Sequence, residues 1–185
     1  MVVTQDDILA ALRTIPDPEM PISIVDLGIV ESVHLTPTMP GNGDGDAPDS
    51  DHATDVRVEI LPTFVGCPAL PMIQEQVEAK LQAMDGVNAV DVSFVFDPPW
   101  SVDRITEQGR ADLREHGVTV PDSGSRLNVP GHMRGGGVEL RASAATCPFC
   151  ESNDVALESS FGPTRCRMIY YCNACRNTFE HLKRV

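Results

Sequence analysis

An α+β fold class is predicted by two observations. Over the first 117 residues helical and strand periodicities succeed one another in the order α-β-β-α-β, and further on two C-x2-C pairs stand 21 residues apart. The first pattern predicts a small domain with a three-stranded sheet over residues 1–117. The second predicts an all-β zinc ribbon over residues 142–185, joined to the first by a Gly/Pro-rich tether at 118–141. Charge marks the same division: residues 1–140 hold 23 acids and 8 bases, whereas residues 141–185 hold 4 acids and 6 bases.

Each element has its own signal. Thr4 and Asp7 form a capping-box pattern before Ile8, Ala11, Leu12 and Ile15, predicting a helix over 5–15 that Pro16 stops. Asp17 to Gly28 reads as an ordered loop leading to a strand from about Ile29 to Leu35. An acidic stretch at 37–54, with four aspartates and little to bury, reads as a flexible insertion. Val56, Val58 and Ile60 alternate with Arg57 and Glu59, giving a second strand with one buried face. After Pro62 to Pro68, the stripe Leu70, Ile73, Val77, Leu81 and Met84 predicts an amphipathic helix that starts near Pro68 and ends at Asp85-Gly86, before a third strand at 89–96. Ser101 is placed to cap a further helix, with Val102, Ile105 and Leu113 on its face and Gly117 at its end.

Composition narrows the function. The chain of 185 residues has a formal charge of −13, which opposes general affinity for nucleic acid. No apolar run approaches the roughly 20 residues needed to span a bilayer, and Met1 to Arg13 lacks the features of a signal peptide, so a cytoplasmic protein is expected.

Cys147-Pro-Phe-Cys150 and Cys172-Asn-Ala-Cys175 are the predicted metal ligands. Two intervening residues let a tight knuckle point both sulfurs at one ion, and two knuckles complete a tetrahedron. Zinc is the expected ion, with iron in a rubredoxin-like site as the alternative. Four thiolates leave no open coordination position, so the ribbon is structural or a docking surface. Arg165, Arg167, Arg176, Lys183 and Arg184 lend it positive charge. Cys166 reads as a small buried side chain, with a part in metal traffic as the alternative.

Cys67 stands apart. It comes just before the helix expected from Pro68, where unpaired N–H groups and the helix dipole favour thiolate, and it reads as a buried structural cysteine, a nucleophile or a metal ligand. The nucleophile reading needs a base, and only His34 is placed to approach. A single thiolate is too few to hold an iron–sulfur cluster permanently but enough to hold one transiently or at a dimer interface. Asp17, Glu19 and Asp26 either cap and brace their own loop or line the Cys67 site. Their spacing leaves both readings open.

Several of these motifs together resemble a known family. Asp17-Pro-Glu-Met-Pro21, Ile24-Val-Asp-Leu-Gly28 and Thr63-Phe-Val-Gly-Cys-Pro68 resemble the SufT-like proteins of iron–sulfur assembly. Asp97-Pro-Pro-Trp100, Glu107-Gln-Gly-Arg110 and Phe161-Gly-Pro-Thr-Arg-Cys166 narrow the resemblance to the PaaD-like branch, the D components of phenylacetyl-CoA 1,2-epoxidase systems. The resemblance implies a non-catalytic accessory protein that assists Fe–S cluster or iron-centre assembly of a multicomponent oxygenase in phenylacetate degradation. It implies Cys67 as the transient cluster or metal ligand, and Asp17, Glu19 and Asp26 as the signature loop near it. The implied partners are oxygenase or reductase subunits of that system and iron–sulfur assembly proteins, with a homodimer suggested by relatives of the α/β domain. A stable structural subunit of the oxygenase is the competing reading, ahead of a ribbon-based nucleic-acid binder and a Cys67 enzyme.

Overall fold

The computed structural model describes residues 3–38, 53–122 and 145–184. Most of the insertion expected at 37–54 and of the tether expected at 118–141 lies outside the described residues. The chain divides into two compact units, Met1–Trp100 and Ser101–Val185.

In the first unit α1 spans Gln5–Leu12 and closes its N-terminus with the predicted box: Thr4 Oγ1 accepts from the Asp7 N–H, and Asp7 Oδ2 accepts from the Thr4 N–H at 3.0 Å. The helix is three residues shorter than its apolar stripe, because Thr14 and Ile15 continue only as turn-type bonds to Ala11 and Leu12. Ile8, Leu12 and Ile15 are buried nonetheless. Strands β1 (Val30–Pro37) and β2 (Thr54–Ile60) pair antiparallel, α2 (Leu70–Gln82) crosses over, and β3 (Val87–Phe94) returns parallel to β2. The sheet order is β1-β2-β3, and the predicted α-β-β-α-β succession and three-stranded sheet are both present.

Strand alternation sets the two faces. Val33, Val56, Val58, Ile60 and Val92 are buried, with Ile73, Val77 and Leu81 of α2 supplying the helical layer of this core. The other face carries His34 opposite Arg57, and Arg57 opposite Asp91 in a 2.9 Å ion pair.

Beyond Trp100 the structure departs from the expected boundary. The helix predicted from Ser101 to Gly117 is two pieces, a 3-10 turn at Val102–Arg104 and α3 at Glu107–Glu115. Ser101 caps the turn, Ile105 is extended, and Thr106 then supplies a second cap, its Oγ1 accepting from the Gly109 N–H at 3.0 Å. Gly117, at φ 77°, takes the left-handed conformation that ends α3. Val118–Thr119, assigned to the tether by the sequence, is β4, parallel to β7 (Thr178–Leu182).

The resulting sheet runs β4-β7-β6-β5, with β5 at Val155–Ser159 and β6 at Arg167–Cys172. Residues 101–117, expected in the first domain, thus pack with the ribbon. An Arg114–Glu151 ion pair at 3.1 Å and Arg184 bonded to Asp103 at 3.0 Å join the same parts. Residues 145–184 hold only the strands β5, β6 and β7, as the all-β ribbon predicts, and α3 and β4 add a helix and a fourth strand to that unit. Among the described residues no helix is long and apolar enough to cross a membrane.

Candidate metal centre and thiol site

The four-cysteine group is built by two knuckles of the same design. Cys147 N–H donates to Ser152 O, and Glu151 N–H to Cys147 O. In the second knuckle Cys172 N–H donates to Asn177 O, and Arg176 N–H to Cys172 O. The residue after each second cysteine, Glu151 and Arg176, takes φ 62°. That left-handed step turns the chain back so that both sulfurs of a pair face the same point. Asn173 locks the knuckles together through the Asp154 carbonyl and carboxylate, both at 2.9 Å.

The four sulfurs lie within 4.8 Å of one another, with Cys147–Cys175 and Cys150–Cys172 each at 3.6 Å. A thiolate tetrahedron around zinc at ~2.3 Å has edges of about 3.8 Å, so the residues fit a tetrahedral ion. As thiols, Cys150 and Cys172 are shifted in opposite directions. The backbone N–H of Cys175 donating to sulfur, helped by neighbouring thiols, holds Cys172 down at about 7. Cys150 accepts from the Ser152 N–H, which lowers it, but desolvation and the surrounding sulfurs push it up to about 12. A divalent cation draws all four as thiolates. Buried Cys147 and Cys172 join Ala145, Tyr170 and Phe179 in a small core beside the tetrad, so the same side chains face the ion site and pack the strands.

Cys166 is buried outside this group, its sulfur 3.1 Å from Thr164 Oγ1 and its carbonyl accepting from the Lys183 N–H. That matches a small packed side chain in the β5–β6 connection.

Cys67 occupies the loop between β2 and α2. The helix starts at Leu70, not Pro68, because Ala69 is the N-cap, so Cys67 lies two residues ahead of the cap. No side chain caps this helix. The loop is a tight turn: Cys67 N–H donates to Phe64 O at 3.1 Å, and a Cβ at Gly66 would come 3.1 Å from the Phe64 ring. Cys67 is half-buried, with Val65 and Met72 exposed on either side of it in the chain.

Backbone bonds bring three loops to the same end of the first sheet. Leu61 N–H donates to Ile29 O, Val95 N–H donates to Ile60 O, and the buried Trp100 Nε1–H donates to Leu27 O at 3.1 Å. The Asp17–Gly28 loop, the Cys67 loop and the Asp97–Trp100 segment therefore lie at one end of this sheet. The clamping role of Trp100 is not legible in its motif, where the two prolines signal only a strand end.

Within the signature loop, Asp17 Oδ1 accepts from the N–H groups of Glu19 and Met20 at 2.9 and 2.8 Å. Asp26 Oδ2 accepts from Ser23 Oγ, which itself accepts from the Asp26 N–H, and Arg13 stands 3.8 Å from the Asp26 carboxylate. These bonds brace the loop. Ser23 escapes a reading of the sequence, although its place three residues before Asp26 is a capping spacing. His34 bonds Ser32 at 3.0 Å on the sheet face opposite the helices, whereas Cys67 leads into α2.

With the sites in place, comparison with known proteins defines the class. Residues 5–42 and 48–94 match the family described as iron–sulfur cluster assembly protein, and residues 136–183 match the PaaD zinc beta ribbon domain. The fold and the four-cysteine site are therefore those of an iron–sulfur assembly domain followed by a zinc ribbon. A protein of Escherichia coli, provisionally named as the D component of 1,2-phenylacetyl-CoA epoxidase, is 33% identical over 96% of this chain and 91% of its own length. The chain belongs to the PaaD family, as the resemblance of its motifs implied. Proteins named Fe-S protein maturation auxiliary factor, from Porphyromonas gingivalis and Bacillus subtilis, are 32% and 28% identical. They cover 60% and 59% of this chain, and 90% and 92% of their own lengths.

Proposed function

We propose that this protein is a non-catalytic maturation factor that carries an iron–sulfur cluster or iron to a multicomponent phenylacetyl-CoA epoxidase. The observation that carries the reading is the separation of two kinds of thiol. Four cysteines form a closed tetrad, whereas Cys67 stands half-buried on a loop outside it. A closed tetrad retains its ion. A single thiolate gives up its cargo readily, because breaking one bond suffices. The names of the relatives support the same class of function.

In this reading zinc fills Cys147, Cys150, Cys172 and Cys175 and has a structural role. Cys67 supplies one ligand to the transient cargo, and the client, an assembly partner or a second copy supplies the rest. Asp17, Glu19 and Asp26 act indirectly: their loop, braced by the Asp17 and Asp26 carboxylates, lies at the end of the sheet from which the Cys67 loop departs. The ribbon docks the client subunit.

Metal and acid-labile sulfide, measured per chain on anaerobically purified protein reconstituted with iron and sulfide, test the proposal. Wild type should hold one zinc together with iron and sulfide, and Cys67→Ala one zinc alone. Equal iron in the two proteins, or none in either, would shift the assignment to a stable structural subunit of the oxygenase.

A further inference from the structure

The ribbon displays an aromatic ring that its own core does not use. Phe161, in the β5–β6 connection, is 76% exposed. Such a ring in water usually marks a mobile tip, yet this connection is firmly built. Ser159 Oγ donates to Phe161 O at 2.8 Å and accepts from its N–H at 3.1 Å. Gly162 N–H donates to Arg167 O at 2.9 Å, and Gly162 lies so close to Arg167 that an added Cβ would come within 3.1 Å of that carbonyl. Arg167 Nε in turn donates to Thr164 Oγ1 at 2.8 Å. Lys183 Nζ donates to Arg165 O at 2.8 Å and sits 5.0 Å from the Phe161 ring centroid.

We infer that Phe161, with the Lys183 ammonium beside it, is the anchor of a protein-docking surface, and that its partner presents an apolar pocket rimmed by carboxylates. An exposed aromatic on a preorganised loop has already met the ordering cost of association. Charge gives the rim: residues 160–184 hold five bases against one acid in a chain of net charge −13, and with Arg167 paired to Glu180 and Arg184 to Asp103 it is Arg165, Arg176 and Lys183 that keep this segment positive, so it attracts what the rest of the molecule repels. Single-stranded nucleic acid also recognises basic, aromatic surfaces, by stacking bases on ring faces. Here the Lys183 ammonium, 5.0 Å from the ring centroid, competes with a base for that face, and the net charge of −13 repels a phosphate backbone, which together favour a protein pocket over base stacking. The surface deepens the maturation reading and rests on it for the identity of the partner, an oxygenase or reductase subunit of the epoxidase.

The test measures dissociation constants of the zinc-loaded, full-length protein for purified epoxidase subunits, for wild type, Phe161→Ala, Arg165→Glu and Lys80→Glu. A (dT)12 oligonucleotide is titrated in parallel, and zinc content verifies that each variant folds. Phe161→Ala should weaken subunit binding about 30-fold, Arg165→Glu should weaken it and flatten its salt dependence, and Lys80→Glu, the same charge change at an exposed base of α2, should bind as wild type. Wild-type affinity in Phe161→Ala would overturn the surface and leave the maturation reading standing. Salt-sensitive binding of (dT)12 that Phe161→Ala abolishes would overturn it in favour of nucleic acid. Failure of wild type to bind any subunit would overturn the named partner, while Cys67-dependent cluster loading separately decides the maturation reading.

Discussion

His181 illustrates how one side chain can tie stability to pH. It is buried in β7, its Nδ1 2.7 Å from Thr119 Oγ1 and the Tyr170 ring edge-on at 5.4 Å. With Arg110, Arg114, Thr119 and Asp122 it lines a cavity of about 290 Å³. Desolvation lowers its pKa to about 4, with Asp122 pulling weakly the other way. An unfolded chain would protonate the same ring near pH 6.5. Between those values the unfolded state binds more protons, so the contribution is fully present above about pH 6.5 and is lost as pH falls toward 4. It reaches at most about 3 kcal/mol. Urea denaturation of wild type and His181→Gln at pH 7 and 4.5 checks this: the stability difference between the two proteins should shrink at the lower pH. A constant difference would show that the imidazole is not neutralised by burial. The sequence places this histidine in the ribbon and no further, since a lone polar residue carries no period. It likewise leaves Asp17 undecided between loop bracing and lining the Cys67 site, because only coordinates reveal which N–H groups a carboxylate accepts from.

At the scale of elements, legibility follows periodicity. The stripe of α2, the Val56-Val58-Ile60 alternation and the capping box of α1 are readable because burial imposes a repeat on sequence. Other elements lack one. In β7 an inward position is His181, which hides the apolar alternation of Thr178–Leu182, and β4 is two residues long. The expected helix at 101–117 breaks at Ile105 although that side chain is buried, because Thr106 competes as a cap. The loops need tertiary information too. Leu27 is fully buried, and its carbonyl receives the Trp100 indole N–H. Trp100→Phe preserves most of the ring while removing that donor. It should cost about 1–3 kcal/mol and raise hydrogen exchange across residues 16–29, read by mass spectrometry, with the helices unchanged. Unaltered exchange in that loop would mean the indole fills space and does not clamp.

For the whole molecule, the boundary decides what the metal holds together. The charge and cysteine patterns set the ribbon apart from residue 142 onward, whereas the compact division falls at Trp100/Ser101 because β4 pairs with β7 and Arg114 pairs with Glu151. The two divisions predict different outcomes when the ion is removed. The core beside the tetrad is small, Ala145, Tyr170 and Phe179 together with Cys147 and Cys172, and cannot order its strands without the sulfurs being gathered. Stripping the metal with a strong chelator should therefore release β5, β6 and β7. If α3 and β4 belong to that unit, amide protection should be lost over 101–122 together with 145–184, although these segments are far apart in sequence. Residues 3–38 and 53–100, whose core contains none of the four ligands, should keep their protection. Retained protection over 107–115 in the chelated protein would return α3 to the first unit, as the sequence alone has it. The same outcome would mean that the ribbon folds around its ion independently of the helix that precedes it.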